Sequence, residues 1–201
     1  MANTDTPNGL NPVRHKSGGC WNGSFEPMYK NSTYGTALYV GDPVLIVAGG
    51  SNTAAVDEYQ PGTLQECEIA AAGGYISGVV VGFRANPDNL NRTYSPATTE
   101  DVVFVCTDPD VIYEIQEVSG GTALTAAAVG LNASFVYSAG SAITGKSGVE
   151  LNNATEATTL ALELKIRGLV NREDNAIGEH AKWLVQINQH TFASGVGTAG
   201  V

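Results

Sequence analysis

Two segments near the end of the chain show the clearest alternation of large apolar side chains with small or polar ones. They are residues 160–166, LALELKI, and residues 183–187, WLVQI. A period of two places the large apolar side chains on one face and the charged ones on the other, as in a half-buried strand. Leu, Ala, Glu and Lys also favour helices, but strict alternation favours strands. We therefore predict two strands joined by a polar loop at residues 171–180.

Short apolar segments separated by Gly, Pro, Asn and Asp continue this pattern through the rest of the chain. They predict further strands at residues 37–40, 44–48, 64–70, 75–83, 101–107, 111–118 and 133–138. The Asp108-Pro109-Asp110 turn predicts a hairpin between two of them, and residues 122–129 are Ala-rich enough for one or two helical turns. Because Val79-Val80-Val81 is continuously β-branched, we expect that strand to be buried on both faces. The pattern predicts an all-β fold, an antiparallel barrel or sandwich of short strands.

The two ends of the chain differ from this central part. Residues 1–35 are rich in Asn, Gly, Pro and Ser yet carry several large apolar side chains, so we predict an extended N-terminal arm that lies on its own domain or on a neighbour. Residues 193–201 form a Gly-rich tail with almost no charge. The predicted organisation is an arm at 1–35, a β-rich domain at 36–192 and a C-terminal tail at 193–201.

Composition narrows the possible functions. The 201 residues include 24 glycines and carry a formal net charge of −10. With 43% hydrophobic residues, the chain is too apolar to be disordered. No run of basic residues provides the positive surface that phosphates require, so we expect no direct binding of nucleic acid. No segment resembles a secretory signal or a membrane span, so we expect synthesis in the cytoplasm and no membrane partner.

Candidate chemistry is sparse. Residues 140–147, GSAITGKS, satisfy the phosphate-binding pattern G-x-x-x-x-G-K-[ST]. The following residues, GVELNN, begin a helix poorly, so we favour a turn that exposes Lys146 over an ATPase site. The three histidines, the three cysteines and the acidic residues around Asp108 form no spacing typical of a metal site or a catalytic triad. We therefore predict no enzyme, no cofactor and no metal.

Several segments in order along the chain carry a resemblance to a known family. They are TPNGLNPVRH, GGYISGVVVGF, DPDVIYEIQE, VGLNASF, SGVEL and LKIRGLVNREDNAIGEHAKWLVQINQH. The chain resembles the decoration, or cement, proteins of tailed-bacteriophage heads over nearly its whole length. The segment at 51–61 and the tail after Phe192 lie outside this resemblance.

The resemblance implies a non-enzymatic virion protein that docks on the outer surface of an icosahedral head. Such a protein bridges neighbouring major capsid subunits, often as a dimer or trimer. The candidate contacts with the capsid or within an oligomer are Trp21, Phe25, Tyr29, Arg84, Arg92 and Tyr94. An alternative is a β-sandwich on the virion surface that binds host glycans, for which Tyr94 and its loop are the candidate platform.

Overall fold

A computed structural model describes residues 3–193 and 197–200, and strands are its main regular element. The strands are β1 (Asn11–His15), β2 (Glu26–Lys30), β3 (Pro43–Ser51), β4 (Gln65–Ile69), β5 (Gly78–Phe83), β6 (Asp101–Cys106), β7 (Val111–Gln116), β8 (Asn132–Ala133), β9 (Phe135–Val136), β10 (Glu150–Leu151), β11 (Leu164–Leu169) and β12 (Lys182–Ile187). One short 3-10 helix, Ala126–Ala128, lies where helical turns were predicted. The prediction of an all-β fold with mainly antiparallel pairing is confirmed. None of the described helical segments is long and apolar enough to cross a bilayer.

Five strands close into a small barrel in the order β2-β4-β3-β5-β6. All its neighbours are antiparallel except β2 and β4, which meet in parallel at Tyr29 and Glu66. Val80 faces the barrel interior and Val79 faces the second core outside it, and both are fully buried. This confirms the prediction that the valine run is buried on both faces, because that strand forms a wall between two cores.

The second half of the fold is a five-stranded antiparallel sheet in the order β1-β7-β12-β11-β8. Alternate residues of its central strands, including Tyr113, Ile166 and Trp183, pack in the main core together with Val79 and Cys106 of the barrel wall. The sheet therefore covers one side of the barrel, and the two halves share a continuous apolar layer. The two strands predicted near the end of the chain are present as β11 and β12, and the structure pairs them with each other.

Trp183 is the largest side chain in the main core and is fully buried. Its indole Nε1 donates a hydrogen bond of 2.6 Å to Oε2 of Glu117, which is also fully buried. The backbone N–H of Leu124 donates to the other carboxylate oxygen at 3.3 Å. Burial raises the pKa of Glu117, although these bonds lower it in part. The pair joins β12 to the segment that follows β7.

The predicted hairpin around Asp108-Pro109-Asp110 is wrong. β6 pairs with β2 and β5 in the barrel, whereas β7 pairs with β1 and β12 in the sheet. Both edges of each strand are thus occupied by other partners, and the turn carries the chain from one half of the fold to the other. A turn sequence fixes the change of direction but not the strand on which the chain then pairs.

The prediction that residues 1–35 form an irregular arm is wrong for two segments. β1 is an edge strand of the sheet, and β2 is a wall of the barrel with Met28 and Tyr29 buried. The polar ends stay closer to the prediction. Residues 3–10 lack regular structure, and the described tail residues 197–200 lie against the sheet, where Asn132 Nδ2 donates to the Thr198 carbonyl at 2.7 Å. Residues 1–2, 194–196 and 201 lie outside the described residues.

The strand predicted at residues 160–166 begins only at Leu164. Residues 160–163 form a turn in which Leu160 is 46% exposed and Glu163 is fully buried. Oε1 of Glu163 accepts hydrogen bonds from the Ser134 hydroxyl at 2.8 Å and from the Gly73 N–H at 2.6 Å. Glu163 therefore links the sheet to a loop of the barrel, instead of lying on a charged outer face as the alternation predicted.

Candidate interaction surface

Two long loops, residues 84–99 and 139–148, are fixed by the short extended segment at residues 38–40. Leu38 exchanges backbone hydrogen bonds of 2.8 and 2.9 Å with Ser95 of the first loop. On the other loop, the Val40 N–H donates to the Gly145 carbonyl at 3.0 Å, and the Ser147 N–H donates back to Val40 at 2.9 Å. The residues predicted as a strand at 37–40 thus make isolated bridges, one to each loop.

Glycines allow the two loops to approach each other closely. Gly145 has a φ of +69°, and a Cβ there would lie 2.5 Å from the carbonyl oxygen of Thr93 in the neighbouring loop. A Cβ on Gly140 would overlap the ring of Tyr39. Because a side chain at either position would separate these contacts, the sequence places glycine at both. The loops consequently form one composite surface.

Apolar and aromatic side chains define this surface. Ile143 is 93% exposed and Leu90 is 78% exposed, the two highest values among the large apolar residues of the described chain. Tyr94 is half-buried and stacks on Tyr39, with ring centroids 5.1 Å apart, and Tyr137 is partly exposed. We refer to Leu90, Tyr94, Tyr137 and Ile143 as the loop-tip surface. Tyrosine is enriched at protein interfaces because it combines a large apolar area with a hydroxyl group.

A buried carboxylate, Asp42, lies beneath the loop-tip surface. Its Oδ2 accepts a hydrogen bond of 2.8 Å from the backbone N–H of Tyr39. The Ser147 hydroxyl lies close enough to favour the charged form, but Oδ1 has no hydrogen bond of good geometry. Burial raises the pKa of Asp42 from 3.8 to about 6. Ionisation of Asp42 near neutral pH therefore destabilises the folded chain.

Replacing Asp42 by asparagine should stabilise the chain more at pH 7.5 than at pH 4.5. A raised pKa means that the folded state gains stability from protonated Asp42 below pH 3.8 and loses it as the pH rises through about 6. Asparagine can keep the bond from Tyr39 and removes this loss. We expect the stability difference between the variant and the parent chain to be about 2 kcal/mol larger at pH 7.5.

Urea denaturation of both chains at the two pH values measures this effect. Comparing the two chains at each pH cancels the contributions of other groups with shifted pKa values, such as His190, whose pKa burial lowers to about 4. An equal difference at pH 4.5 and pH 7.5 would show that Asp42 is already ionised without cost.

The three candidate contacts near the N-terminus have different environments. Phe25 is 50% exposed and its ring lies 4.5 Å from that of Phe104, so part of its surface is free. Trp21 packs against the main core. Tyr29 is only 5% exposed, and its hydroxyl donates to Glu100 at 2.8 Å. As a barrel residue, Tyr29 has little surface to offer a partner.

The candidate contacts in the long loop, residues 84–99, also differ in their environments. Arg92 is nearly buried and forms an ion pair of 2.8 Å with Asp101, so it holds the loop to the barrel and offers little surface to a partner. Arg84 is one-third exposed and is neutralised by Asp57 and Glu58. Tyr94 remains partly exposed in the loop that also carries Leu90. Binding by any of these residues is still a prediction.

Sequence reasoning missed the most exposed members of the surface. Leu90 is the one large aliphatic residue in the polar segment 85–99, and Ile143 is isolated among small residues in the segment 139–148. A single apolar side chain within a long polar loop has no strand pattern to explain it, and that contrast was the available signal. The proximity of the two loops could not be inferred because about 50 residues separate them.

The phosphate-binding pattern at residues 140–147 occupies one of these loops. Residues 142–144 form a turn, and Lys146 bridges to Val40 in parallel before the chain continues without a helix through residue 149. The pattern requires a following helix whose N-terminus faces the phosphates. The geometry agrees with the predicted turn that exposes Lys146.

A cluster of possible metal ligands lies where the N-terminal segment contacts β10 and the loop before β12. One ligand atom each from Asp5, Glu150 and His180 lies within 4.8 Å of the others. The Nε2 of Gln116 donates to Asp5 at 2.8 Å and to Glu150 at 2.9 Å, while its Oε1 accepts from the Thr6 N–H. The bond from Thr6 fixes the orientation of the amide, so its N–H groups already satisfy both carboxylates. We interpret the cluster as a set of polar contacts that hold the N-terminal segment against the sheet.

Comparisons of this chain with protein-family models, with curated proteins and with solved structures found no match. The interpretation of the loop-tip surface therefore depends on its own geometry and on the sequence segments described above.

Proposed function

We propose that this chain is a structural decoration protein that docks on the outer surface of an icosahedral bacteriophage head and bridges neighbouring major capsid subunits. It would be made in the host cytoplasm, assemble as a homo-oligomer such as a dimer or trimer, and act without catalysis. The ordered series of segments that resemble phage decoration proteins supports this proposal. The observation that carries it is the loop-tip surface, with Leu90 and Ile143 almost fully exposed.

Exposed apolar side chains at loop tips have a physical use in docking. Full burial of a Leu or Ile side chain stabilises a complex by roughly 1.5–3 kcal/mol. Gly145 and the bridges to residues 38–40 hold the loops that carry these tips, so little conformational freedom would be lost on binding. A standard interface buries about 800 Å² on each partner. An oligomer that engages several subunits at once would gain further affinity from multivalency.

Co-sedimentation with capsids tests the proposal directly. Purified protein is mixed with expanded phage heads that lack their decoration protein, and the bound copies are counted after the heads are pelleted. We expect saturable binding at a fixed number of copies per head and an increase in the temperature at which the heads rupture. Binding that never saturates, or saturation with no change in rupture temperature, would contradict a bridging role.

A further inference from the structure

The basic residues of this acidic chain are concentrated on the five-stranded sheet. Six of the ten Lys and Arg residues lie on that sheet or directly beside it: Arg14, Lys16, Lys165, Arg167, Arg172 and Lys182. A chain with twenty acidic residues and a net charge of −10 has no need of such a concentration for solubility. The concentration of basic residues on this sheet therefore indicates a role other than solubility.

The register of the sheet places several of these residues on its outer face. Ile112 is opposite Arg14 on one side and Gln186 on the other, and Gln186 is opposite Lys165. Residues directly opposite each other in antiparallel strands project from the same face. The adjacent row of opposed residues, which includes Tyr113 and Val185, packs in the main core. The row from Arg14 to Lys165 consequently faces away from the barrel.

A groove of about 610 Å³ lies at this end of the outer face. Lys16, Lys165 and Arg167 line it, together with uncharged polar groups such as Gln186 and Asn188. Among the described lining residues the one carboxylate is that of Asp110, which lies 3.6 Å from the Lys16 ammonium. We call this feature the basic groove. Its size suits a few residues of an extended polypeptide.

Lys165 and Arg167 in the basic groove repel each other, and no acid of the described ranges 3–193 and 197–200 pairs with either of them. Among the described residues, Lys165 and Arg167 form no ion pair, whereas Arg172, in the loop after β11, and Lys182 of β12 share Glu114. Lys165 Nζ donates only to the carbonyl of Ala199, at 2.7 Å. Burial and the nearby Arg167 both lower the pKa of Lys165. An external carboxylate would relieve this repulsion, since opposite charges favour the ionised form of lysine.

We propose that the basic groove binds an extended acidic segment of a partner protein, whose carboxylates pair with Lys165 and Arg167. The identification of that partner as a capsid subunit rests on the proposed function. An acidic peptide fits better than a nucleic acid, because three cations are few for a phosphate backbone and the net charge of −10 repels a polyanion over long distances.

The first test measures binding of a fluorescein-labelled decapeptide rich in glutamate by fluorescence anisotropy at low salt. We expect saturable binding that weakens as salt is added. The double variant Lys165→Gln with Arg167→Gln should reduce the affinity roughly tenfold. Arg172→Gln removes one positive charge beside the same sheet, outside the groove, and serves as the control, with less than about a twofold effect. Equal binding by the double variant, or equal binding of a glutamine-rich peptide, would overturn the proposal.

A second test separates this inference from the proposed function. If the double variant binds capsids as well as the parent chain does, the assignment of the basic groove as a docking site is wrong, while the proposed function stands. If the peptide binds at the groove but the chain does not bind capsids, the proposed function is wrong, while the assignment of the groove as a site for acidic segments stands. Two further outcomes would overturn the acidic-segment proposal: a dimer in sedimentation velocity that the double variant dissociates, or tighter binding of single-stranded DNA than of the peptide at the groove.

Discussion

Changing both Leu90 and Ile143 to aspartate should abolish docking on capsids and leave the free energy of unfolding unchanged within about 0.5 kcal/mol. Both side chains are almost entirely exposed, so the folded chain gains little from them. At the centre of an interface, loss of an apolar anchor typically costs about 2 kcal/mol or more, and two such losses reduce affinity by roughly 1,000-fold. The co-sedimentation experiment measures the loss, and thermal unfolding measures stability.

Two further variants separate the causes of such a loss. Changing Ile177, which is 50% exposed in the loop before β12, to aspartate introduces the same substitution outside the loop-tip surface and should leave docking intact. Changing Leu90 and Ile143 to serine removes the apolar surface without adding charge. If the serine variant docks normally while the aspartate variant does not, then charge repulsion and not apolar burial determines docking. Normal docking by both would exclude the loop tips as the anchor.

Replacing Trp183 by alanine should lower the free energy of unfolding by about 3–5 kcal/mol, the usual cost of truncating a buried aromatic residue. The indole is fully buried in the main core, and its removal also deprives the buried Glu117 of its shortest hydrogen bond, 2.6 Å. For a domain of this length the midpoint of thermal unfolding should fall by roughly 10 °C. Urea denaturation followed by circular dichroism measures the change.

Two comparisons test the reason for this effect. Trp183→Phe keeps most of the apolar volume but loses the N–H donor to Glu117, so a loss of about 1–3 kcal/mol is expected. Tyr75→Ala removes an aromatic ring that is 46% exposed, and its effect should stay below about 1 kcal/mol. If Trp183→Phe proves as stable as the parent chain, the bond to Glu117 contributes little and packing alone explains the alanine variant.

The strands that were predicted correctly are those with a clear local signal. Val79-Val80-Val81 and the alternation in Trp183–Ile187 each place apolar side chains at positions that a strand buries, and both were found in strands. β1 and β2 were missed because their sequences, NPVRH and EPMYK, are short, contain proline and lack a run of apolar residues. Their pairing partners, β7 and β6, lie some 70 to 100 residues away and compensate for the weak local preference.

Candidate contacts were predictable only by residue type. Tyr29 and Arg92 are of types that are common at interfaces, but in this chain Tyr29 bonds to Glu100 and Arg92 pairs with Asp101. Whether an aromatic or cationic side chain is free depends on neighbours that are distant in sequence. The same limit explains why the sequence shows no run of basic residues at Lys16, Lys165 and Arg167, although the fold brings them to one groove.

The placement of β1 in the sheet and β2 in the barrel affects how the chain can form during synthesis. About 70 residues separate the end of β2 from the start of β6, its antiparallel neighbour. At about 5–20 residues per second, β2 waits roughly 4–14 seconds for that neighbour to be made. Such distant pairing also makes folding slow, since ordering a long intervening segment precedes any gain from contact. For that interval the edge of β2 that pairs with β6 remains unpaired on the nascent chain, where a chaperone can reduce mispairing.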